Sequence, residues 1–280
     1  MRSRALAVLV ASVAILVAAC SSGGASPSIP AATEAASGAP PAAAADLTIF
    51  GAASLAKVLD EVKDAYEAAV PGSTLTLSTD SSAALETQIE QGAPADVFLS
   101  ADTTNPQKLV DGGFADGEPS VFAGNELTVI TPTANPGGLA TPFDLGKDGV
   151  RVIAAGDEVP ITKYATQLVE NLAAASDAPP DFAAAYAANV ASKEDNVAAV
   201  RTKIELGEGD GAIVYVTDAA ASDDIGTIAV ADDLNVPASY AGVVIKASPN
   251  LDAAHAFLDW FAGPEGQAIL GGFGFLPPAS

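Results

Sequence analysis

Cysteine is almost absent from this 280-residue chain, and Cys20 is the only one. A lone thiol has no partner for an intrachain disulfide and no spacing that would build a thiolate metal site. Histidine is equally scarce. With His255 alone, no Ser-His-Asp set and no histidine metal cluster can be assembled around it. Basic residues number 12 against 35 acidic ones, for a formal net charge of −23. Duplex nucleic acid is held by clustered Lys and Arg, so nucleic acid is excluded as an expected partner. The acidity implies a soluble, self-repelling surface. No internal repeat of fixed period is present.

The N-terminus carries export features. Arg2 and Arg4 form a basic region ahead of an apolar run from Ala5 to Ala18. That run is short for a membrane span and is followed by small residues, so residues 1–19 are expected to be a signal peptide. Its end, Leu16-Val17-Ala18-Ala19-Cys20, resembles the bacterial lipobox. The resemblance implies cleavage before Cys20 and a diacylglycerol on its thiol. The plainer alternative is a small residue at an ordinary cleavage site. Residues 21–45 are mostly Ser, Gly, Pro and Ala with one charge, Glu34, and are expected to be a flexible tether.

From Asp46 onward, short apolar strands alternate with amphipathic helices. Leu47–Phe50, Leu75–Leu77, Val97–Leu99, Asn125–Thr131, Arg151–Ala155 and Ala212–Val216 have the composition of strands. Ser54 is expected to open a helix with Leu55, Val58, Leu59, Val62 and Tyr66 on one face. Further helices are expected from Ser82 through Leu85 and Ile89, from Ile161 to Ala174, from Asn196, and finally from Asp252 to Phe261. The alternation argues for an α/β fold of parallel sheets with helices on both faces. In such sheets ligands bind in crevices at the strand ends.

Four turns place a hydroxyl or a free backbone donor at a helix start: Ala52-Ala53-Ser54, Ser81-Ser82, Val159-Pro160-Ile161 and Asp195-Asn196-Val197. The first N–H groups of a helix lack intrahelical partners, and the helix dipole leaves partial positive charge there. Several such ends converging on one crevice make an anion site without a charged side chain. Each serine taken singly is no more than a helix cap. Only the four turns together point to an anion.

Three segments carry a family resemblance: Ile49-Phe50-Gly51-Ala52-Ala53-Ser54-Leu55, the run from Gln88 through Gly92-Ala93-Pro94-Ala95-Asp96-Val97-Phe98-Leu99-Ser100-Ala101-Asp102, and Gly211-Ala212-Ile213-Val214-Tyr215. Together they resemble the periplasmic molybdate-binding proteins of ABC transporters, with weaker similarity from Leu47 to Pro277. The resemblance implies a type II periplasmic-binding-protein fold, two α/β lobes with a ligand cleft between them. Lobe 1 is expected to comprise 46–126 plus 230–280, and lobe 2 to comprise 127–229.

By the same resemblance, side-chain donors to the oxyanion are Ser54, Ser82 and Tyr215, and backbone donors are at Ile161 and Val197. Molybdenum enters only within the bound oxyanion, through those residues, and no cofactor or catalytic residue is implied. The implied partners are an ABC permease with its ATPase, and the membrane through a lipid anchor on Cys20. The chain itself is expected to be a monomer at the extracytoplasmic face. Tungstate, close to molybdate in size, is expected to bind too. A binder of sulfate or another tetrahedral oxyanion is the alternative.

Two positions depart from the family pattern. Thr162 stands where glycine is usual, and Asp80 precedes the serine pair where a small neutral residue is common. A cleft-facing Asp80 would repel a dianion or accept a proton from a protonated one. Tyr66, Tyr164, Tyr186 and Tyr240 are expected in the core or at the surface, without an adjacent tyrosine pair of the kind that ferric-ion binders use. Lys57, Lys163 and Arg201 lie within a turn of the proposed donors and are expected to be solvated. His255 is expected on a surface or half-buried helix face.

Overall fold

Burial on both faces explains the strand that centres the first sheet. Val97-Phe98-Leu99-Ser100 is buried at every position, the continuous apolar run of a strand covered on two sides. The computed structural model describes residues 44–278. The expected signal segment, Cys20 and residues 21–43 lie outside the described residues.

In chain order, β1 (Asp46–Ala52) leads through a 3₁₀ turn (Ala53–Leu55) into α1 (Ala56–Ala69). There follow β2 (Thr74–Asp80), α2 (Ser82–Glu90), β3 (Val97–Ser100), α3 (Thr104–Asp111) and the long β4 (Ala115–Asn125). The chain then builds β5 (Leu127–Pro132), β6 (Val152–Ala155), α4 (Pro160–Ala174), α5 (Phe182–Asn189) and β7 (Val190–Glu194). Next come α6 (Val197–Glu205), β8 (Ala212–Tyr215), α7 (Val216–Ala220) and β9 (Ile225–Ile228). It closes with β10 (Ala238–Ile245), α8 (Leu251–Ala262) and α9 (Pro264–Gly272).

The first sheet has the order β2-β1-β3-β10-β4, and the second region has a β8-β5-β9 sheet and a β6-β7 pair. A parallel bridge from Val152 to Gly211 joins that pair to the start of β8. The chain thus leaves the first sheet after β4, makes β5 to β9, and returns with β10. This is a two-lobed α/β architecture. The sheets are mixed, however, where parallel ones were expected. β1 runs parallel to β2 and β3, while β10 is antiparallel to β3 and β4. Likewise β5 is antiparallel to β8 and β9. The returning chain produces this: a strand re-entering its parent lobe from the other one arrives in the opposite direction.

Alternation along the strands feeds two layers of core. Ile49, Val97 and Leu99 pack with Leu59, Val62 and Tyr66 in a cluster that continues into the second lobe. Phe50 and Phe98 face the other way, onto Leu85, Ile89 and Leu109 of α2 and α3. Tyr66 meets Phe257 and Trp260 of α8 edge-on, at 5.0 and 5.2 Å between ring centres. Such aromatic pairs add to the burial of their area. Gly51 is required for closeness: a Cβ there would lie 2.3 Å from Leu59 Cδ1.

The helix from Asp252 to Phe261 is present within α8, yet it is not the last. Gly263-Pro264 breaks the chain and starts α9. The break fits proline at a first helical position.

Candidate functional site

Six strand ends converge. β1, β2 and β3 of the first sheet, and β6, β7 and β8 of the second region, deliver their C-terminal turns to one cavity. It is lined by Ala52, Ala53, Ser54, Ser81, Ser82, Ala101, Val159, Pro160, Ile161, Val197 and Tyr215. All five residues singled out by resemblance, Ser54, Ser82, Ile161, Val197 and Tyr215, are in this lining, and no lining side chain is charged.

Each turn has its own reason. Ser81 caps α2, its Oγ accepting from Ala84 N–H at 3.2 Å. This leaves Ser82 as the first helical residue, 1% exposed, with its Oγ accepting from Ala101 N–H at 3.0 Å. That bond occupies one lone pair of the oxygen, and the Ser82 proton remains available to the cavity. Val159 is the cap residue of α4 and Pro160 its first position, which puts Ile161 second. Asn196 caps α6 through a 3.0 Å bond from Ala199 N–H, and Val197 follows it. At these first and second positions an α-helix supplies no carbonyl for the N–H.

Ser54 differs from expectation. It does not cap a helix: the chain enters its 3₁₀ turn one residue early, at Ala53, and Ala52 holds the cap position. Ser54 therefore lies inside the turn, with its Oγ 3.0 Å from the hydroxyl of Tyr240. Tyr240 is fully buried, as expected of a core residue. Its contact with Ser54 spans 186 residues of sequence, and no local signal could reveal it.

Tyr215 ends β8 and is 1% exposed, and its hydroxyl is buried without a hydrogen-bond partner. Burial, with Tyr240, Tyr164 and Asp218 nearby, holds its hydroxyl well above the ordinary tyrosine range. It stays protonated, as a donor. Tyr164 and Tyr240 pack against it at 6.2 and 5.5 Å. The tyrosines are thus neighbours in space although the sequence separates them. Ferric ion needs phenolates, and burial disfavours the phenolate of both Tyr215 and Tyr240.

The departing residues turn to other partners. Asp80 Oδ1 accepts from Ser81 N–H at 2.7 Å and from Asn196 Nδ2 at 3.0 Å, joining the end of β2 to the start of α6. Asp80 is not in the cavity lining. Thr162 Oγ1 donates to Gly156 O at 2.7 Å, so it fastens α4 to the turn after β6. The cations are occupied elsewhere. Lys57 Nζ donates to Ala221 O at 3.2 Å, and Arg201 Nε to Glu205 at 3.1 Å. Lys163 Nζ lies 3.5 Å from Thr104 Oγ1. His255 is half-exposed and pairs with Asp116 at 2.9 Å. Among the described residues, no group of three or more His, Cys, Asp or Glu could hold a metal ion.

The long motif from Gly92 to Asp102 is structural for the most part. Gly92, with φ +89°, ends α2, and the bond from Ala93 N–H to Gln88 O closes the turn. Asp96 accepts from Thr48 N–H at 2.7 Å and from Ser248 Oγ. Asp102 accepts from Ser100 Oγ and from Asn105 N–H, the second at 3.0 Å. Only Ala101, between them, reaches the cavity, and it does so by fixing Ser82.

Comparison with known proteins agrees with this geometry. A family model for bacterial extracellular solute-binding proteins matches residues 47–276. The molybdate-binding protein ModA of Mycobacterium tuberculosis H37Rv is 29% identical over 240 residues, 85% of this chain and 87% of the relative. Among solved structures, the periplasmic molybdate-binding protein of Azotobacter vinelandii superposes with a TM-score of 0.71 at 24% identity, covering 83% of this chain and 100% of that one. The sulfate-binding protein SubI of M. tuberculosis H37Rv gives 0.73 at 21%, covering 83% and 87%. These likenesses carry the type II periplasmic-binding-protein fold. With a family match over most of its length, the chain belongs to the bacterial extracellular solute-binding proteins.

Proposed function

We propose that this chain captures molybdate, and tungstate with it, outside the cytoplasm and delivers it to an ABC importer. The observation that carries the reading is the Tyr215 hydroxyl, protonated, buried and unmatched, in a cavity otherwise lined by serines and helix starts. A buried donor without an acceptor costs about 1–3 kcal/mol. A bound oxyanion supplies the acceptor. In this reading Ser54, Ser82 and Tyr215 donate through side chains, and Ile161 and Val197 through backbone N–H groups.

A donor-only lining suits a fully ionised tetrahedral dianion. Phosphate near neutral pH keeps a proton that needs an acceptor, and here it would be left unmet. The departure at Asp80 does not change this, because its carboxylate is held by Ser81 and Asn196. Against sulfate the discrimination is one of size, since metal–oxygen bonds are longer than sulfur–oxygen bonds.

The lobes in this proposal are 46–126 with 230–280, and 127–229. Donors come from both, so the ligand favours the closed state by its differential affinity. Cys20 is proposed as the lipid anchor and residues 21–45 as the tether that lets the lobes turn beside the permease. The chain acts as a monomer.

The second reading is a sulfate binder, and the fold likeness to the sulfate-binding protein SubI is what favours it. Calorimetric titration with molybdate, tungstate, sulfate and phosphate separates the two. Tight molybdate and tungstate binding with weak sulfate and phosphate binding is expected. Equal affinity for sulfate would sink the first reading.

A further inference from the structure

Whether a serine donates to a ligand or accepts from it depends on what else holds its oxygen. Around Ser54 the sense of each bond can be worked outward from the backbone. Glu126 N–H donates to Asn125 Oδ1 at 3.0 Å, which fixes the orientation of that buried amide. Its Nδ2 therefore faces inward, donating to Thr217 Oγ1 at 2.8 Å and to the Tyr240 hydroxyl at 3.4 Å. An amide nitrogen has two protons and no lone pair to offer, so Tyr240 can only accept from it.

The Tyr240 proton must then go elsewhere. Among the described residues its one remaining partner is Ser54 Oγ, at 3.0 Å. Were Ser54 the donor in that contact, the Tyr240 proton would be buried without an acceptor, at 0% exposure. Burial also keeps that phenol protonated. With one lone pair of its oxygen occupied by the Tyr240 proton, Ser54 keeps its own proton for the cavity that it lines.

We propose that Tyr240, oriented by Asn125, is a positioning residue that fixes Ser54 as a hydrogen-bond donor to the bound oxyanion. This rests on the reading of the cavity as an oxyanion site. The arrangement matches the one at Ser82, where Ala101 N–H takes the serine lone pair at 3.0 Å. Both serines thereby have one of their two lone pairs occupied and keep their own proton for the cavity. Tyr240 also touches both lobes' contributions: its ring packs on Tyr215 at 5.5 Å, and its hydroxyl holds Ser54.

The test is a double-mutant cycle on the full mature chain, with Tyr240→Phe, Ser54→Ala and the pair, read by calorimetry with molybdate and with phosphate. Tyr240→Phe keeps the ring and removes the hydroxyl. It is expected to weaken molybdate binding about tenfold and to narrow the preference over phosphate, because a Ser54 hydroxyl no longer oriented by Tyr240 can turn and offer the ion a lone pair instead of its proton. In the Ser54→Ala background the same change is expected to cost little, since the group it acts through is gone. A Tyr240→Phe variant that binds molybdate like the parent overturns the proposal. So does a loss of equal size with and without Ser54, which would mark a purely structural role. Should Tyr240→Phe lose the apo fold, as read by thermal unfolding, Asn125→Asp enters the cycle in its place. It keeps the shape and removes the donor that orients Tyr240, and the same pattern is expected. If the parent prefers sulfate to molybdate, the cycle is read with sulfate, and the function assignment fails alone. A parent that binds neither overturns both.

Discussion

Tyr215 and Asp218, three residues apart, are both buried with an unmatched oxygen, and they make opposite predictions. Tyr215→Phe removes a donor that is orphaned until ligand arrives. Molybdate affinity is expected to fall about tenfold or more, in line with hydrogen bonds to charged groups worth about 1.5–3 kcal/mol. The apo protein is expected to be as stable as the parent or slightly more so, because the uncompensated hydroxyl has gone. Calorimetry and thermal unfolding of the same sample check the pair of outcomes. Asp218 has no proposed part in binding. Burial, partly offset by Arg201, pushes its carboxyl from 3.8 up to about 7. A folded value above the unfolded one means that the folded state holds the proton more tightly. Stability from this group is present below the ordinary value and is lost as pH rises towards about 7. Asp218→Asn is therefore expected to raise the melting temperature above pH 7 and to flatten its decline between about pH 4 and 7. A variant that melts with the parent's pH profile contradicts this.

At the scale of elements, the helix starts bear the weight of the site. Ser81 and Asn196 each cap a helix whose next residue lines the cavity. Removing a cap costs about 1 kcal/mol, and Asn196 carries a second bond, to Asp80. Asn196→Ala is expected to destabilise the chain more than Ser81→Ala does, by up to about 2 kcal/mol. It should also weaken ligand binding through the displaced Val197 turn. Denaturant unfolding with and without molybdate checks both effects.

The elements also show which signals the sequence carried. β1 and β3 are legible from their apolar runs and α1, α2, α4 and α6 from period-3.6 patterns, joined in α2 and α6 by the polar caps Ser81 and Asn196. β10 is not, since three of its buried positions are Ala238, Ala241 and Gly242, which carry little apolar signal. β4 contains Gly117, Pro119 and Gly124, residues that mark loops. It forms the outer strand of its sheet with register shifts against β10. An edge position tolerates proline, because the N–H can face outward. Among the residues that the resemblance names, Ser82, Ile161, Val197 and Tyr215 line the cavity from the helix starts and strand end where the sequence reading expects them. Ser54 lines the cavity with a different local geometry. The Ser54–Tyr240, Ser82–Ala101 and Asp80–Asn196 contacts depend on pairing between distant segments, which no local pattern encodes.

At the scale of the whole molecule, an acidic chain of net charge −23 is proposed to hold a dianion. Long-range charge opposes that capture. Short-range donors in a low-dielectric cavity must outweigh it, and there a hydrogen bond to an ion is stronger than in water. Added salt screens the surface and leaves the buried site little changed. Association is therefore expected to quicken with ionic strength, the reverse of an attraction-steered binder, and stopped-flow binding rates at two salt concentrations check this.

In the proposed complex one ion sits where the strand ends of both lobes meet. A crystal structure of the mature chain soaked in molybdate, with the molybdenum located by anomalous scattering, tests it most directly. A single strong peak is expected in the cavity, with oxyanion oxygens within hydrogen-bond distance of the hydroxyls of Ser54, Ser82 and Tyr215 and of the N–H groups of Ile161 and Val197. A peak elsewhere on the chain, or oxygens held by lysine or arginine side chains, would contradict it.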